Sequence, residues 1–483
     1  MKFIVKLFPE IMIKGGPLKK RMINMLYENL RTLLFRIDDS ILIKRFWDKI
    51  EVQVDKKNID AVRKVLQQTP GIEKYLEVVQ YELGEDLQAI AEKVAEHKLD
   101  QIEGKTFVVR AKRTGEHSVT SIEIERFVGG YLYEHGNPAG IDLHNPEVKV
   151  EFELIQQILN VITLRQPGLG GFPMGIQGDV LSLMSGGFDS TVASYLTMKR
   201  GIKTHFIFFN LGGAAHEVGV KQVALYLWGQ FGASHRVQFV SVPFEEVVEE
   251  IFKSTHESYM GVTLKRLMIM ASEKVADAMG IDALVTGESV AQVSSQTLRN
   301  LAVIDEVSEK LILRPLATMN KPEIIKIADD IGTREFAENM PEYCGVISKN
   351  PVTNASFSRM KREAKRFNYD ILNKAVEQAL TIPVDKIIED VNNTAPVDVV
   401  NEPGDALVID IRRESEVSCA PLDIENINIP FTGLNRAYKK LDQSKQYVLF
   451  CEKGVMSQLH AQYLRDAGYG NVRVYRPVSG PTH

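Results

Sequence analysis

The chain has 483 residues, of which 44% are hydrophobic and 25% charged, which is an ordinary composition for a soluble globular protein. At ~100–200 residues per domain, this length predicts about three domains. The formal net charge is −5, so the protein as a whole is not basic as nucleic-acid-binding proteins usually are. Any RNA contact must therefore come from a local basic region. No segment has the ~20 consecutive apolar residues of a membrane span, and the first residues lack a signal-peptide pattern, so we expect a cytoplasmic protein without a membrane partner.

Residues 1–165 mix strand and helix patterns, which predicts small α+β units. Apolar alternation predicts strands over residues 2–13, 41–54, 106–112 and 148–164. Helical periodicity predicts helices over residues 18–34, 59–67, 86–95 and 121–132. Residues 1–50 carry eleven Lys and Arg against five Asp and Glu, an excess that suits RNA but is more often only a solvated surface.

Residues 166–178 are dense in Gly and Pro, which predicts a linker or hinge. From residue 179 onward strands alternate with helices, a pattern typical of a doubly wound parallel sheet. The strands are predicted over residues 180–184, 204–209, 237–242 and 283–286, and the helices over 190–200, 218–230 and 264–278. A second boundary is predicted at 392–404, and the last unit alternates again, with strands over 407–411, 447–450 and 472–475 and a helix over 456–467.

A Gly-rich turn between the first strand and the first helix of the central region has the sequence Ser185-Gly186-Gly187-Phe188-Asp189-Ser190. The glycines permit a tight turn and close approach to a ligand, the serines supply hydroxyl donors, and the helix start supplies free N–H groups. Together these features predict a phosphate-binding loop with Asp189 near the phosphates. The loop lacks the Lys-Ser/Thr ending of a Walker loop. A purely structural turn is the alternative, and the strand–turn–helix context favours the binding loop.

Other residues of the central region fit an adenine and phosphate pocket, because ligands of open α/β sheets bind at the carboxyl ends of the strands. Some of them end strands, one is a lysine that suits phosphate, and two lie in polar loops; taken singly, each is more often structural. The predicted nucleotide-binding set is Leu183, Met184, Ser185, Gly186, Gly187, Asp189, Ser190, Phe208, Phe209, Lys265, Gly287 and Gln296.

The three cysteines are Cys344, Cys419 and Cys451, which fit neither a CxxC pair nor a zinc pattern, and no protein metal site is predicted. Cys451 follows an apolar strand and opens a helix, where backbone N–H groups favour the nucleophilic thiolate. A lone cysteine is usually a small buried hydrophobe, but this position favours a catalytic thiol that carries a persulfide. Cys344 lies in a loop with Pro341 and Gly345, where a thiol would be accessible, whereas Cys419 has no such context.

The loop at residues 185–190 resembles the SGGxDS signature of the PP-loop ATP pyrophosphatases. Residues 404–483, with Asp410-Ile411-Arg412 and the Cys451 loop, resemble a rhodanese domain, although Glu452 stands where rhodaneses commonly have arginine, which argues against thiosulfate as donor. Residues 2–10 resemble a ferredoxin-like start, residues 110–113 with 121–130 resemble a THUMP RNA-binding module, and residues 170–173 resemble the link into a PP-loop domain. In this order, over essentially the whole chain, they resemble the tRNA 4-thiouridine synthetase family in its long form with a rhodanese tail.

The resemblance implies an α/β multidomain fold. Its parts are an N-terminal ferredoxin-like α+β domain at 1–60, a THUMP domain at 61–165, a linker at 166–178, a doubly wound parallel-sheet PP-loop adenylation domain at 179–391, a second linker at 392–403 and a rhodanese-like α/β domain at 404–483.

The resemblance also implies the chemistry. ATP, with Mg²⁺, would adenylate O4 of uridine 8 in tRNA, and Asp189 and Lys321 would act at the phosphates. A cysteine desulfurase would load a persulfide on Cys451, and its sulfur would replace the activated oxygen to give 4-thiouridine. Cys344 would form a transient disulfide with Cys451, which reduction would reopen.

Further partners follow from the same resemblance. Family members with this tail also pass sulfur to the thiazole moiety of thiamine through a small sulfur-carrier protein. The sequence leaves open whether that branch operates, which tRNAs are used, and whether the protein is a homodimer. The basic residues expected to contact RNA phosphates are Arg110, Lys112, Arg113 and His117.

Two other functions are compatible with parts of the sequence. An amide-type synthetase or small-molecule thiolase would use the same adenylation, but the THUMP-like run and the basic N-terminal region argue against it, and tRNA-stimulated pyrophosphate release would separate the two. An RNA-binding protein with a redox-sensing cysteine tail would bind RNA without ATP turnover, and the intact loop at 185–190 argues against it.

Overall fold

The computed structural model describes residues 1–211, 214–338, 340, 350–387, 397–412, 414–430, 433–451, 457, 460–461, 464–465 and 467–477. These residues belong to two compact units. The first unit is Met1–Ile176 with Lys199–Gly201, and the second is Gln177–Met198 with Ile202–His483.

The first unit contains the strands β1 (Lys2–Leu7), β2 (Leu42–Arg45), β3 (Lys49–Gln53), β4 (Ile72–Glu82), β5 (Thr106–Thr114), β6 (Gly140–Ile141), β7 (Val148–Ile155) and β8 (Ile158–Gly170). They form one sheet in the order β2-β3-β1-β4-β8-β7-β5-β6. Neighbours are antiparallel except that β5 is parallel to both β6 and β7. The helices are α1 (Pro9–Met12), α2 (Gly16–Leu34), α3 (Ile59–Gln68), α4 (Leu87–Ile102) and α5 (Ser121–Gly136).

The two larger hydrophobic cores of this unit lie against its sheet. In the N-terminal core, apolar residues recur every four positions along α2, so one stripe of the helix is buried; the stripe is Met22, Leu26, Leu30 and Leu34. The second core packs α4 and α5 on the other half of the sheet, with Val94 and Val128 against Val109 and Phe152.

Strand β4 is not predicted from the sequence, because its buried residues run consecutively from Tyr75 to Val78 instead of alternating. It pairs with β1 on one side and with β8 on the other, so one sheet carries both cores. The predicted boundary between residues 60 and 61 falls inside α3, whose Val62 and Leu66 belong to the N-terminal core. That position is therefore not a break in the fold.

Three predicted strands prove to be more than one element. The strand predicted at 2–13 ends at Leu7, because Pro9 in the first turn starts α1. The strand predicted at 41–54 is the β2–β3 hairpin, and the one predicted at 148–164 is the β7–β8 hairpin, which turns at Gln156 with a φ of +53°.

The segment at 166–178, predicted to be a linker between domains, contains the boundary between the two units, after Ile176, but its first residues belong to a strand. Strand β8 continues through its first residues to Gly170 and pairs with β4. Phe172 and Ile176 are then buried in the N-terminal core, at 3% and 8% exposure. Most of this segment is therefore packed, whereas Gln177 and Gly178 at its end are exposed.

The second unit begins with the strands β9 (Asp179–Leu183), β10 (Lys203–Asn210), β11 (Gln238–Pro243), β12 (Ala283–Val285), β13 (Leu311–Leu313) and β14 (Leu380–Pro383). Their order is β13-β12-β9-β10-β11-β14, and only β14 is antiparallel to its neighbour. Because the chain leaves β11 and returns on the other side of β9, the strand order reverses between β9 and β12. This confirms the predicted doubly wound parallel sheet.

Helices cover both faces of this sheet: α6 (Phe188–Lys199), α7 (Ala214–Leu227), α8 (Glu245–Ser254), α9 (Met260–Met279), α10 (Leu298–Asp305), α11 (Lys321–Asp330), α12 (Arg334–Glu338), α13 (Phe357–Ala364) and α14 (Tyr369–Glu377). Successive residues of a strand point to opposite faces of the sheet. Val180 belongs to the core that contains residues of α6 and α11, and Leu181 belongs to the core that contains residues of α9. Both are buried, which gives the strands their continuous apolar runs. The helix predicted at 218–230 begins earlier and ends in a π-helical turn, Trp228–Gly232, and α9 begins four residues before its predicted start.

A third sheet ends the second unit. Its strands are β15 (Val399–Val400), β16 (Leu407–Asp410), β17 (Asn426–Asn428), β18 (Tyr447–Phe450) and β19 (Val472–Tyr475), all parallel in the order β15-β19-β18-β16-β17. Two short helices, α15 (Glu414–Cys419) and α16 (Leu434–Tyr438), accompany them. Half of the residues in the helix predicted at 456–467 lie outside the described residues.

Candidate active site

A cavity of about 580 Å³ lies at the carboxyl ends of β9, β10 and β12. This is the position where the strand order reverses, and open α/β sheets bind ligands there. Every residue of the predicted nucleotide-binding set except Gly186 lines the cavity, and so does Lys321. The structure therefore brings together side chains that are separated by more than a hundred positions in the sequence.

The phosphate-loop candidate joins β9 to α6. Gly186 has a φ of +81°, which residues with side chains rarely adopt. The Ser185 N–H donates to Ser190 Oγ at 3.2 Å, and the two hydroxyl oxygens lie 3.0 Å apart, so the turn is closed by its own serines. The residues that begin α6 line the cavity, and the free N–H groups of a helix start favour an anion.

Gly287 packs directly against the beginning of α6. A Cβ at this position would lie 2.5 Å from the carbonyl carbon of Asp189 and 2.6 Å from the nitrogen of Ser190. Only glycine therefore lets the loop after β12 approach the phosphate-loop backbone this closely.

Both carboxylate oxygens of Asp189 accept a hydrogen bond. Lys321 Nζ donates to Oδ1 at 2.8 Å, and Gln292 Nε2 donates to Oδ2 at 2.9 Å. The Lys321 ammonium also lies 5.3 Å from the centroid of the Phe188 ring. A cation is thus held beside the loop, in a position that suits a polyphosphate.

Glu288 is a second carboxylate at the cavity and is only 4% exposed. Its Oε2 accepts from Arg314 Nε at 2.8 Å and from Thr286 Oγ1 at 3.0 Å. Lys265 Nζ lies 3.8 Å from the other oxygen. Glu288 therefore holds two cations, of which Lys265 lines the cavity.

The cavity residues that the sequence-based set does not include are numerous, and three of them make polar contacts at the site: Glu288, Gln292 and His216. Glu288 lies shortly after the end of β12, and this position at a strand end could have identified it as a site residue from the sequence. Gln292 carries no local signal, because only the folded loop brings it to Asp189. His216 donates from Nε2 to the carbonyl of Ser185 at 3.4 Å, and burial lowers the pKa of His216, which favours a neutral ring.

Cys451 directly follows β18 and is 9% exposed. Its Sγ lies 3.3 Å from the backbone nitrogen of Ser457 and 3.4 Å from that residue's Oγ. Beside it, Arg412 makes a buried two-point pair with Asp410, with Nη2 2.6 Å from Oδ2, and its guanidinium lies 5.0 Å from the Phe450 ring centroid. The Asp-Ile-Arg segment therefore supports the strand end that carries the thiol.

The predictions for the other two cysteines concern side chains outside the described part of the structure. Cys344 lies outside the described residues, as does the side chain of Cys419. The pairing of Cys344 with Cys451 stays a prediction.

The four basic residues predicted to contact RNA fall into two groups. Arg110 and Lys112 alternate along β5 with exposed side chains, at 47% and 66%. Both also have contacts within the protein: Arg110 Nη2 donates to the Leu143 carbonyl at 3.1 Å, and Lys112 Nζ lies 3.6 Å from Glu153 Oε1. Arg113 instead donates to Ser121 Oγ at 3.0 Å, and the His117 ring is fully buried against a carboxylate, with Nδ1 2.9 Å from Glu85 Oε1. His117 therefore holds a loop, and the structure does not support it as a phosphate contact.

The basic region at residues 1–50 is exposed in part. Lys20, Arg21 and Asn24 line a shallow cavity of about 390 Å³ along α2. On the same helix, Lys19 Nζ lies 4.7 Å from the ring centroid of Trp47, which is 72% exposed. Cations interleaved with an exposed aromatic ring are typical of RNA surfaces.

A doubly wound sheet with a non-Walker phosphate loop, followed by a parallel sheet with a cysteine after its central strand, defines the class as an α/β nucleotide-binding protein with a rhodanese-like tail. Residues 175–369 match the family described as Thiamine biosynthesis protein (ThiI), and residues 2–75 match its ferredoxin-like domain. Residues 84–163 match the THUMP domain and residues 398–476 the rhodanese-like domain.

The full chain also has close relatives. It is 49% identical to tRNA sulfurtransferases from Azotobacter vinelandii and Escherichia coli, over 99% of this chain and 100% of each relative. A crystal structure described as a 4-thiouridine synthetase–RNA complex with bound ATP is 25% identical, with a TM-score of 0.70 over 79% of this chain and 99% of its own. The chain therefore belongs to the tRNA sulfurtransferase family and is a sulfurtransferase enzyme, as the motifs predict. Among its described helices, none has the length and apolar character to cross a bilayer.

Proposed function

We propose that this enzyme uses ATP to transfer a persulfide sulfur to uridine 8 of tRNA, which gives 4-thiouridine. The observation that carries the proposal is the convergence of the loop at 185–190, Lys265, Gln296 and Lys321 on one cavity. The family relationship supports it, as does the solved relative that holds both RNA and ATP.

The cavity fits a nucleoside triphosphate. Its volume of about 580 Å³ lies within the range of small-molecule sites, ~300–1,000 Å³. The loop and Lys321 suit the phosphates, and the buried Oε1 of Gln296, which has no partner among the described residues, suits a donor such as the adenine amine. Asp189 offers the carboxylate oxygens that Mg²⁺ prefers, and a bound Mg²⁺ would screen the phosphate charge.

In the first proposed step, uracil O4 attacks the α-phosphorus of ATP, pyrophosphate leaves, and N3 loses its proton to water. This exchange turns a poor leaving oxygen into an AMP ester. The protein contributes by holding the triphosphate in line and by stabilising the charge that develops, through the loop N–H groups and Lys321.

In the second step, the terminal sulfur of a Cys451 persulfide attacks C4 of the base, and AMP leaves. The Cys344 thiolate then attacks Cys451 Sγ, which breaks the S–S bond, leaves the sulfur on the base and forms a Cys344–Cys451 disulfide. A dithiol reductant restores both thiols. A cysteine desulfurase, acting in the cytoplasm, is the proposed source of the persulfide.

The THUMP domain is the proposed tRNA-binding surface, through the exposed Arg110 and Lys112. A second acceptor is also proposed, the sulfur-carrier protein of thiazole synthesis, because persulfide transfer from Cys451 does not itself depend on the acceptor. The description of the matching family as a thiamine biosynthesis protein supports this branch.

The experiment incubates the protein with unmodified tRNA, Mg-ATP, cysteine and a cysteine desulfurase, and follows the near-ultraviolet absorbance of 4-thiouridine. Cys451→Ser and Asp189→Ala are expected to abolish the signal. A missing signal in the wild type, with persulfide still loading on Cys451, would contradict tRNA as the acceptor and favour a small-molecule thiolase. Cys344→Ser is expected to stop multiple turnover but permit some single-turnover transfer, and an equal effect of Cys419→Ser would contradict the assigned disulfide.

A further inference from the structure

Gln292 presents an amide whose orientation is fixed by chemistry. Its Nε2 donates to Asp189 Oδ2 at 2.9 Å. A carboxylate only accepts hydrogen bonds, so the NH₂ group must face Asp189 and the amide oxygen must face away. That oxygen, Oε1, is buried and has no hydrogen-bond partner within the described parts of the chain.

The loop after β12 holds Gln292 in this position. The Val290 N–H donates to Ala317 O at 3.0 Å, and the Ala291 N–H donates to Gln296 O at 2.9 Å. Ala291 has a φ of +65°, a conformation that a residue with a side chain keeps only where its surroundings impose it. The fold therefore aims the amide of Gln292, and the side chain lines the cavity.

A buried acceptor is unfavourable until a donor reaches it, so a ligand of this cavity is expected to bring an N–H or O–H group to Gln292. Through Asp189, Gln292 lies at the phosphate-loop end of the cavity, where the attacked phosphorus would be held. The base that attacks must bring O4 to this end, and beside C4 of uracil stands N3, which carries a hydrogen. Resting on the proposed function, we propose that Gln292 Oε1 accepts the N3–H of the uracil to be modified.

This contact selects uracil over cytosine. The N3 atom of cytosine is an unprotonated acceptor, so it would face the acceptor Oε1 with no hydrogen between them. Sites that hydrogen-bond a substrate group reject analogues lacking that group much more strongly than apolar pockets do. The second buried acceptor, Oε1 of Gln296, also lacks a partner among the described residues and stays available to the nucleotide.

The test measures binding without turnover. Wild type, Gln292→Met and Gln296→Met are titrated with a non-cleavable ATP analogue. Each protein, saturated with the analogue, is then titrated with tRNA transcripts carrying uridine or cytidine at the target position. Methionine matches glutamine in length but removes the amide, and the Gln296 variant is the matched control from the same cavity.

We expect the wild type to prefer the uridine transcript by about tenfold, as for one buried hydrogen bond. Gln292→Met should lose this preference. It also removes a hydrogen bond to Asp189, so weaker binding of the analogue is compatible with the assignment, and saturation with the analogue keeps that effect out of the comparison of transcripts. Gln296→Met should keep the preference and bind the analogue more weakly. Gln292→Asn, which withdraws the amide by one methylene, should repeat the loss and replaces the methionine variant if that variant does not fold.

Two results would overturn the assignment: no preference in the wild type, or an unchanged preference in both Gln292 variants. An unchanged preference together with weaker binding of the analogue would show that Gln292 serves the nucleotide through Asp189 and not the base. Formation of 4-thiouridine by the wild type, assayed in parallel, tests the proposed function separately because it does not require Gln292 to be the selecting group.

Discussion

The ammonium of Lys321 lies 2.8 Å from Oδ1 of Asp189, although 132 positions separate the two residues in the sequence. The pair joins the start of α11 to the phosphate loop, and both side chains remain partly exposed at the cavity, at 38% and 24%. A lysine held this way has a fixed position before any phosphate arrives, which is the arrangement that stabilises developing charge without reorganisation.

Lys321→Met is therefore expected to slow adenylation by about 10²–10³-fold, the usual loss for one preorganised charge-stabilising group. The measurement is tRNA-dependent pyrophosphate release in a single turnover. Lys326→Met, on the same helix but 74% exposed and paired with Asp330, is the control and should react at the wild-type rate. Equal rates for the two variants would remove Lys321 from the chemistry.

Local patterns predict the phosphate loop and the strand ends, because a Gly-rich turn between an apolar strand and a helix can be recognised without tertiary information. Local patterns do not predict the roles of Gln292 and Glu288. These roles depend on the contact of Gln292 with Asp189 and of Glu288 with Arg314, which form only in the folded protein. For His117 the local pattern predicts a role that the structure does not support. The residue lies in a basic segment, which suggested an RNA contact, but its ring is buried against the carboxylate of Glu85.

The same limit applies to the fold. Strand β4 is not predicted from the sequence because its buried residues are consecutive and do not alternate with exposed ones. The Gly-rich segment at 166–178 suggests a hinge, although Phe172 within it is buried in a core. The Gly and Pro content of this segment favours a linker, but burial of the Phe172 side chain fixes the position of its backbone.

Gly287→Ala is expected to damage nucleotide binding through the backbone. The added Cβ would lie 2.5 Å from the backbone of Asp189, so the loop after β12 must move away from the phosphate loop. We expect about tenfold weaker ATP binding, with about 1–3 kcal/mol lost from the free energy of unfolding, the usual range for overpacking.

The matched control is Gly229→Ala, where an added Cβ meets no atom within 4 Å. Calorimetric titration with ATP and denaturant unfolding measure the two quantities. Wild-type affinity in the Gly287 variant would show that the close contact does not set the loop position.

Arg110 and Lys112 are expected to contact tRNA phosphates, since both side chains are exposed on one face of β5. Replacing both by Ala should weaken tRNA binding and reduce the slope of log Kd against log salt by about one per lost phosphate contact. Arg113→Ala should instead lower stability, because its half-buried guanidinium donates both to Ser121 Oγ and to the Val119 carbonyl. A salt slope unchanged in the double variant but reduced in Arg113→Ala would reverse the assignment.

Ser457 is expected to hold the sulfur of Cys451, because it places both a backbone N–H and a hydroxyl within 3.4 Å of Sγ. Ser457→Ala removes the hydroxyl and keeps the backbone donor, so we expect a loss of about fivefold in the rate at which iodoacetamide alkylates Cys451, in line with one hydrogen bond. Quantitative mass spectrometry of the Cys451 peptide separates this thiol from the other two. Ser457→Thr should restore the rate by restoring the hydroxyl, and Ser444→Ala, an exposed serine whose Oγ donates to Asp442, should leave it unchanged. Alkylation of Ser457→Ala at the wild-type rate would show that the backbone N–H alone holds the sulfur.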